Sequence, residues 1–407
     1  MPEKELIKEK EGEIEFYFPK TDKNVIPSKA MAVFYNKKMI INRDIIIIAT
    51  LAYKELYKSD KISIIDTMAA TGVGAIRLLK YCKNIERFYI NDINPCAVEL
   101  IRKNLELNGF NPSSSNIIIS RKDACFLLTE IAQQALLDKN HNIKADIISI
   151  DPFGTPNIYL DAAFKAIKNK NGLLAITATD TAVLFGVRKN ACIRKYLSKS
   201  LHTEYCKEIG VRILLHFISR IGNINKIGIV PLLTFYSNHF IRVFALTFKE
   251  KEKITKNFSN YGHIIHCFNC GYREIIGNNI LKINYKCALC NKSDKLDFAG
   301  PLWIGPLHDE NFLNTMILIN NQLNLPSKKR INKILSLNIE ELNAPITYYN
   351  LHKLSKITKI SKIPKIDDTI NKIRERGYNA YKTHFDFLSI KTNADIEVIK
   401  DVLKELS

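Results

Sequence analysis

The chain of 407 residues lacks three features that would each point to a particular class of protein. It opens Met-Pro-Glu-Lys-Glu, so no signal peptide is predicted, and we expect a cytoplasmic protein, or a nuclear one in a eukaryote. No uncharged apolar run reaches about 18 residues, so no membrane span is predicted. No G-x-G-x-x-G run is present, which disfavours a loop that grips the phosphates of a dinucleotide.

Acidic side chains are scarce relative to basic ones. The chain carries 41 Asp and Glu against 60 Lys and Arg, a formal net charge of +19. A solvated basic surface would explain this charge without any partner. A polyanionic partner explains it better, because phosphates attract such a surface at long range. The length alone predicts two or three domains.

Residues 61–180 alternate short apolar runs with amphipathic segments. The pattern predicts strands at 62–66, 87–91, 116–119, 145–150 and 173–178, separated by helices. Such alternation is typical of an α/β domain with a parallel sheet covered by helices on both faces. Two later runs, 226–236 and 240–248, predict an antiparallel hairpin, and the charged block at 249–260 predicts a linker.

Three of the predicted strands end in groups that suit a nucleoside ligand. Asp66 opens the small-residue segment that runs to Gly74, Asp92 could accept both hydroxyls of a ribose, and Asp123 with Ala124 could bind an adenine edge. Any one of these carboxylates is more simply a helix N-cap. All three at successive strand ends indicate S-adenosylmethionine, which has no phosphates and binds beyond the carboxyl ends of strands.

The next strand ends in Asp151-Pro152-Phe153-Gly154. The proline predicts a sharp bend, which places a carboxylate and an aromatic ring at the edge of the sheet. An exocyclic amino group of a base could bind edge-on to Asp151 and the Pro152 carbonyl while its ring stacks on Phe153. An ordinary strand-ending turn is the simpler interpretation of these residues alone. With the three preceding strand ends, they predict a class I methyltransferase that acts on a planar amine.

Motifs along nearly the whole chain resemble those of the tRNA guanine-26 N2-methyltransferase and dimethyltransferase family. They run in one order from about residue 30 to 392. The segments are Val33-Phe34-Tyr35-Asn36, Asn42-Arg43-Asp44, Asp151-Pro152-Phe153-Gly154-Thr155-Pro156, Thr177-Ala178-Thr179-Asp180, Ala191-Cys192-Ile193-Arg194-Lys195-Tyr196-Leu197, Gly300-Pro301-Leu302-Trp303-Ile304-Gly305-Pro306-Leu307 and Thr383-His384-Phe385. The resemblance implies methylation, once or twice, of N2 of guanine 26 in tRNA.

The resemblance also implies roles for individual residues. Phe34 and Arg43 would help hold S-adenosylmethionine, Arg43 at its carboxylate, with Asp92 at the ribose and Asp123-Ala124 at the adenine. Asp151, Pro152 and Phe153 would be the catalytic and base-stacking residues. The family often has a basic residue after Thr-Gly-x, where this chain has Gly74, and Arg77 is the nearest substitute.

Four cysteines form two pairs with the spacing of a metal site. Cys267-x2-Cys270 and Cys287-x2-Cys290 can place four thiolates around one zinc ion. Four protein ligands would leave no open position, so the predicted zinc is structural. The alternative is four unrelated reduced thiols. His263 and His266 are interpreted as polar loop residues, and the remaining cysteines as small packing residues.

The predicted fold is α/β, a Rossmann-like class I methyltransferase core with a zinc-binding insert and a smaller C-terminal α+β, winged-helix-like domain. We place the N-terminal segment and core at 1–257, the zinc-knuckle insert at 258–300 and a basic tRNA-binding domain at 301–407. The tail is basic with interleaved aromatic residues, 366–374 is amphipathic with Gly377 as its stop signal, and 383–392 predicts a small hairpin.

Two rival functions stay open at this stage. The first is a methyltransferase for an amine on another RNA or on DNA, which the same crevice would serve, although the motifs outside the crevice argue against it. The second is a nucleic-acid binding protein with an inactive core, against which the intact Asp92, Asp123 and Asp151 argue. Neither membrane contact nor a protein partner is implied.

Overall fold

The structure is a computed structural model that describes residues 5–20, 33–58, 60–138, 143–278, 286–360 and 363–407. The first part of the chain forms a hairpin, a long helix and the first strand–helix alternations. In chain order these elements are β1 (Leu6–Glu11), β2 (Ile14–Pro19), a 3-10 turn (Lys37–Met39), α1 (Ile40–Tyr57), β3 (Ile62–Asp66), α2 (Val73–Tyr81), β4 (Ile85–Asn91), α3 (Pro95–Leu107), β5 (Ile117–Ser120) and α4 (Ala124–Leu137).

The middle of the chain completes the main sheet. Its elements are β6 (Ile147–Ile150), a 3-10 turn (Asn157–Tyr159), α5 (Leu160–Ala166), β7 (Leu173–Ala178), α6 (Thr181–Leu184), α7 (Lys189–Tyr196), α8 (Cys206–Ile224), β8 (Gly228–Ser237) and β9 (Phe240–Phe248). The strands predicted from the sequence are therefore confirmed: three have the predicted bounds, and the bounds of the others shift by one or two residues.

The last part of the chain builds two small sheets and the helices around them. Its elements are α9 (Lys251–Lys256), a 3-10 turn (Asn257–Asn260), β10 (Tyr261–Cys267), β11 (Arg273–Gly277), β12 (Leu296–Trp303), α10 (Glu310–Gln322), α11 (Lys328–Glu340), β13 (Tyr349–Asn350), α12 (Leu351–Thr358), α13 (Ile366–Glu375), β14 (Ala380–Lys382), β15 (Ser389–Thr392) and α14 (Ile396–Glu405).

The main sheet has seven strands in the order β5-β4-β3-β6-β7-β9-β8. The first five are mutually parallel, whereas β9 runs antiparallel to both β7 and β8. The order reverses between β3 and β6, because the chain leaves β3 toward β4 and returns to the other side with β6. A crevice opens at such a switch point, outside the carboxyl ends of the strands. The predicted Rossmann-like core is confirmed.

Alternate side chains of the buried strands enter two different cores, one on each face of the sheet. In β6, Ile148 belongs to one core and Ile147 to the other. Helices α10 and α11 add Phe312 and Ile334 to the second core, where they pack with α1. The chain after residue 301 therefore continues to build the main core.

A separate core begins only with the sheet of β13, β15 and β14. Its buried side chains run from Tyr349 to Leu403, around the antiparallel strands β13, β15 and β14 and the helices α12, α13 and α14. This arrangement is the small α+β domain expected at the C-terminus. The domain boundary at 301 stays a prediction, and the packing favours a boundary near residue 345.

Two local expectations differ from the structure. The charged block at 249–260 is α9 followed by a 3-10 turn, because its alternating charges favour a short exposed helix. The hairpin expected at 383–392 pairs β14 with β15 and so starts at Ala380, with Thr383 and His384 in the connection. Gly377, with φ of 84°, does follow the end of α13. Among the described helices, none combines the length and the apolar character needed to cross a membrane.

Candidate active site and metal centre

Two neighbouring cavities open at the carboxyl ends of β3, β4 and β6. Asp92, Asp123 and Ala124 line one of them, here called the Asp92 end, and Arg43 and Asp66 line the other, the Arg43 end. The walls that both cavities share are Phe34, Met68, Ala70, Asp151, Pro152 and Phe153. The two cavities are therefore one continuous crevice, and it brings together every predicted cofactor and catalytic residue except Arg77.

The carboxylate of Asp92 is held by the backbone on both sides. Its Oδ2 accepts from the Ala70 N–H at 2.8 Å and its Oδ1 from the Asn94 N–H at 2.9 Å. The loop after β3 is thereby tied to the end of β4. Burial raises the pKa of Asp92, and these N–H groups oppose that shift. The N-cap of α3 is Asn94, so capping is not what Asp92 does.

Asp123, in contrast, is a helix cap and also part of the crevice wall. Its Oδ1 accepts from the Cys125 and Phe126 N–H groups at 2.8 and 3.2 Å, which caps α4. The same residue lines the Asp92 end beside the buried Ala124. The two interpretations of this strand end are therefore compatible, since the cap uses only Oδ1.

Asp151 lies where the two ends of the crevice meet. The amide nitrogen Nδ2 of Asn42 donates to its Oδ2 at 2.8 Å, across from α1. Burial raises the pKa of Asp151, and the charge of Arg242 with a hydrogen bond from Thr177 opposes the rise. A carboxylate with a raised pKa is a better proton acceptor, which suits general base catalysis.

Arg242 is a fully buried cation beneath this carboxylate. It reaches from β9 to the hydroxyls of Thr177 and, at 3.2 Å, Ser149. Burial lowers the pKa of Arg242 to about 10, and the charges of Asp151 and Asp66 oppose that shift. Sequence reasoning missed this residue, although a single arginine within the apolar strand β9 is a recognisable signal of a buried charge with a partner.

Asp66 shares this environment from the end of β3. Burial raises its pKa to about 7; the Met68 N–H opposes this shift and the charge of Asp151 adds to it. The charge of Arg242 opposes the shifts of both carboxyl groups. The centre of the crevice is therefore an acidic surface that a cationic ligand would stabilise.

An aromatic pair walls the crevice beside Asp151. The rings of Phe34 and Phe153 meet edge to face, with centroids 4.5 Å apart. Phe153 is 40% exposed, so part of its ring stays available for stacking. Gly154 follows at a φ of 92°, a conformation that favours glycine, and its N–H donates to Thr179 Oγ1 at 2.6 Å. The bend predicted after Asp151 is thus held by the end of β7.

Arg77 lies outside both cavities, because α2 turns its side chain into the protein interior. It is fully buried, and its Nη1 pairs with Glu11 Oε1 at 2.7 Å while its Nη2 pairs with Asp44. Glu11 also binds Arg43, which donates to Oε1 from Nε at 2.7 Å. The direct cofactor contact expected of Arg77 does not occur in this geometry. Arg77 instead shares the Glu11 carboxylate with Arg43.

The four paired cysteines converge on one point between β10 and β12. Their Sγ atoms all lie within 4.8 Å of one another, and the closest pairs, Cys267–Cys290 and Cys270–Cys287, are 3.6 and 3.5 Å apart. Thiolates at 2.3 Å from a tetrahedral zinc are about 3.8 Å from each other, so the cluster fits this ion. Gly271, at a φ of 81°, completes the first knuckle.

The two histidines near this cluster are not loop residues, contrary to expectation. Both lie in β10, where His263 is opposite Ile276 and His266 is opposite Arg273. His266 is buried, with its ring at the edge of Tyr205. His266 lies on the opposite face of β10 from its neighbour Cys267, and His263 lies four residues before that cysteine.

Comparison with known proteins identifies the same set of relatives throughout. A sequence profile described as N2,N2-dimethylguanosine tRNA methyltransferase matches residues 12–404. A tRNA (guanine(26)-N(2))-dimethyltransferase of Methanosphaera stadtmanae is 36% identical over 397 residues, 97% of this chain and 96% of that protein. A tRNA (guanine(26)-N(2)/guanine(27)-N(2))-dimethyltransferase of Aquifex aeolicus is 31% identical over 399 residues, 97% and 95% of the two chains.

A solved structure shows the same architecture over the full length. Trm1 from Pyrococcus horikoshii, in complex with S-adenosyl-L-methionine, superposes with a TM-score of 0.79 at 30% sequence identity. The match covers 98% of this chain and 100% of that one. The small C-terminal sheet and the cysteine-bearing sheet therefore belong to an architecture shared at full length.

The buried Arg77 network yields a stability prediction. Replacing Arg77 with Met should destabilise the fold by about 3–5 kcal/mol, because Glu11 and Asp44 would each lose a buried partner. Denaturant unfolding of the variant measures this. The control is Lys8→Ala, which removes an exposed ion pair with Glu15 and should leave the midpoint near that of wild type. Equal midpoints for both variants would contradict the assignment.

The cysteine cluster should bind a single zinc ion per chain. Elemental analysis of the purified protein tests the content, and Cys270→Ser should lower it and destabilise the β10–β12 sheet, since three thiolates leave the tetrahedral set incomplete. Cys206→Ser is the matched control, because that thiol lies outside the cluster. Folded wild-type protein with no metal, or equal loss of zinc in both variants, would refute the site.

Proposed function

Since the chain belongs to the N2,N2-dimethylguanosine tRNA methyltransferase family, we propose that it transfers methyl groups from S-adenosylmethionine to N2 of guanine 26 in tRNA. Its relatives are named dimethyltransferases, and we assign two successive transfers to this chain as well. One observation carries the proposal. A single crevice at the sheet's switch point has nucleoside-binding groups at one end and, where its two ends meet, a carboxylate beside a half-exposed aromatic ring.

The two ends of the crevice divide the cofactor between them. At the Asp92 end, Asp92 accepts the ribose hydroxyls, Asp123 the adenine amino group, and the Ala124 N–H donates to the adenine ring. At the Arg43 end, Arg43 uses Nε and Nη2 for Glu11, which leaves Nη1 for the cofactor carboxylate. Asp66, at the same end, offers a carboxylate to the ammonium group.

The protein's task at the target base is to free a lone pair and accept a proton. When bound, S-adenosylmethionine supplies a methyl group whose bond to a sulfonium sulfur breaks as the guanine nitrogen attacks. The lone pair of that nitrogen is delocalised into the base, so Asp151 and the Pro152 carbonyl hold its hydrogens and turn the lone pair toward the methyl. Phe153 stacks on the base, which has left its helix. The proton released from N2 goes to Asp151.

The groups around Asp151 fix both its orientation and its charge. Asn42 holds one carboxylate oxygen, and Arg242 keeps a positive charge beneath it. The carboxylate thereby stays ionised in a partly buried site while its pKa remains raised. A second transfer needs only one acceptor, since monomethylated N2 carries a single hydrogen. One of the two acceptors used in the first transfer therefore suffices for the second.

The substrate class and the location belong to the same proposal. The net charge of +19 suits a tRNA backbone. The basic C-terminal domain is proposed to contribute part of that grip. A cytoplasmic location, or a nuclear one in a eukaryote, is part of the same proposal.

A direct experiment tests the activity. Unmodified tRNA transcript is treated with the protein and S-adenosylmethionine, and its nucleosides are resolved by mass spectrometry. N2-methylguanosine followed by N2,N2-dimethylguanosine is expected, and replacement of guanine 26 by adenine should abolish both. Methylation of ribosomal RNA or DNA in place of tRNA would favour a different substrate. Binding of the cofactor without any transfer would favour an inactive core.

Asp151→Ala should reduce turnover by roughly 10²–10⁴-fold, because the variant loses the group that accepts the proton. Affinity for S-adenosylmethionine, measured by calorimetry, should change little. In wild type, turnover should rise with pH as the raised pKa of Asp151 is passed, since only the carboxylate is active. The control is Asp60→Ala, which removes an exposed acid at the opposite edge of the sheet. Near-normal turnover by Asp151→Ala would refute the role of Asp151 as proton acceptor.

Asp92→Ala should weaken cofactor binding by roughly 1.5–3 kcal/mol, because charge-assisted hydrogen bonds to two hydroxyls are lost. Calorimetric titration with S-adenosylmethionine measures the change. Asp92→Asn should recover part of it, as the amide still accepts one hydrogen bond. An unchanged dissociation constant in both variants would show that the ribose binds elsewhere.

A further inference from the structure

A second hollow, on the outer surface, adjoins the Arg43 end of the crevice. Three separate segments build it: the 3-10 turn before α1, the turn between β8 and β9, and the start of α11. Its polar lining consists of Lys37, Lys38, Asn238, His239, Ser327 and Arg330. The role proposed above for the crevice uses none of these residues.

The hollow is cationic and poorly neutralised. Lys37 pairs with Glu9 at 2.5 Å on the surface. In the described part of the chain, no carboxylate lies within ion-pair distance of Lys38 or Arg330. Burial lowers the pKa of His239 and the charge of Lys38 lowers it further, whereas the charge of Asp151 in the crevice opposes the shift. The positive charges of Lys38 and Arg330 therefore lie close together without the acidic partners that clustered cations usually have.

Arg330 is held in place by neutral groups. Its Nη2 donates to Ser237 Oγ at 2.8 Å and to Asn238 Oδ1 at 3.1 Å, which anchors the guanidinium to the β8–β9 turn. Within the described residues its Nε and Nη1 donate to no partner. An arginine held in this way is already oriented and still has N–H groups on Nε and Nη1 with which to contact a phosphate oxygen.

His239 connects this hollow with the site of chemistry, since it lines both the hollow and the cavity that contains Asp151. A base that enters that cavity has left its helix, and its sugar and phosphates stay at the mouth. On the His239 side, the mouth leads into the cationic hollow. The ligand that suits the hollow is therefore a backbone phosphate.

We propose that this hollow, which we name the Arg330 pocket, binds a phosphodiester that flanks the flipped guanine. Lys38 and Arg330 make the contacts, and the pocket thereby sets how far the target base reaches toward Asp151. This inference rests on the proposed tRNA methylation. It adds a site of nucleic-acid recognition on the catalytic domain, separate from any contact made by the C-terminal domain.

Neutral substitutions in the full-length protein test the pocket. Arg330→Gln keeps a side chain that can still bond Asn238, and Lys38→Gln removes the second charge. Each should raise the dissociation constant for tRNA about tenfold at moderate salt and make the slope of log K against log salt shallower by about 1. The control is Lys83→Gln, an equal loss of charge at the opposite edge of the sheet. Thermal unfolding and S-adenosylmethionine affinity should match wild type in all three.

A chemically modified tRNA locates the contact. Two tRNAs are prepared, and in each of them a single uncharged methylphosphonate replaces one of the two phosphates that flank guanine 26. Wild type should lose about tenfold in affinity for one of these two tRNAs, whereas Arg330→Gln should lose little more on that tRNA. Such non-additivity identifies the phosphate that Arg330 contacts.

The outcomes separate this inference from the proposed function. One outcome is that wild type binds and methylates tRNA, while Arg330→Gln and Lys38→Gln bind tRNA as tightly as Lys83→Gln does. This outcome would overturn the pocket and leave the function intact. Fully additive losses with both modified tRNAs would also overturn it, because Arg330 would then contact no flanking phosphate. Wild type that methylates no tRNA would instead refute the function on which the inference rests.

Discussion

The geometry of the crevice depends on the ion pairs that the carboxylate of Glu11 forms with two arginines. This carboxylate receives Arg43, which lines the crevice, and Arg77, which is fully buried in α2. Arg77 also forms an ion pair with Asp44. Asp44 in turn accepts a hydrogen bond of 2.7 Å from the N–H of Ser327, just before α11. One buried chain of charges therefore joins the N-terminal hairpin, α1, α2 and the start of α11. None of these elements can shift without exposing an unpaired charge to an apolar interior.

The sign of the charged side chains changes from the interior of the crevice to its mouth. Inside the crevice the charges are mainly acidic, with Asp66 and Asp151 balanced only in part by Arg242. At the mouth they are basic, with Lys38 and Arg330 beside the β8–β9 turn. A sulfonium ion is stabilised by the first environment and a phosphodiester by the second. The same separation disfavours a phosphate deep in the crevice, where it would meet carboxylates.

Most of the crevice could be predicted because its residues follow strands in the chain. A side chain that follows a parallel strand lies at the carboxyl edge of the sheet, so Asp92 and Asp151 could be placed without tertiary information. Contacts from Asn42 and Arg242 could not be predicted, since they arrive from α1 and β9 and depend on packing between distant segments. Arg77 was misplaced for a related reason: sequence position near a glycine-rich loop does not decide which face of α2 turns inward. The packing of α10 and α11 on the main core could not be predicted from the sequence, because their apolar faces would suit a separate domain equally well.

Two buried contacts hold the C-terminal domain at a fixed distance from Asp151. Lys391 in β15 pairs with Glu208 of α8 at 2.9 Å and with Glu341 at 3.3 Å. Arg273, from the cysteine-bearing sheet, lies over the ring of Tyr349 at 3.8 Å and donates to the backbone nearby. Buried ion pairs tolerate little sliding, because a small displacement leaves charges unpaired at low dielectric. A fixed spacing of this kind suits the proposed selection of one guanine in a folded RNA. A zinc ion held by the four cysteines would order the sheet that carries Arg273 and, through Arg273, the position of the C-terminal domain.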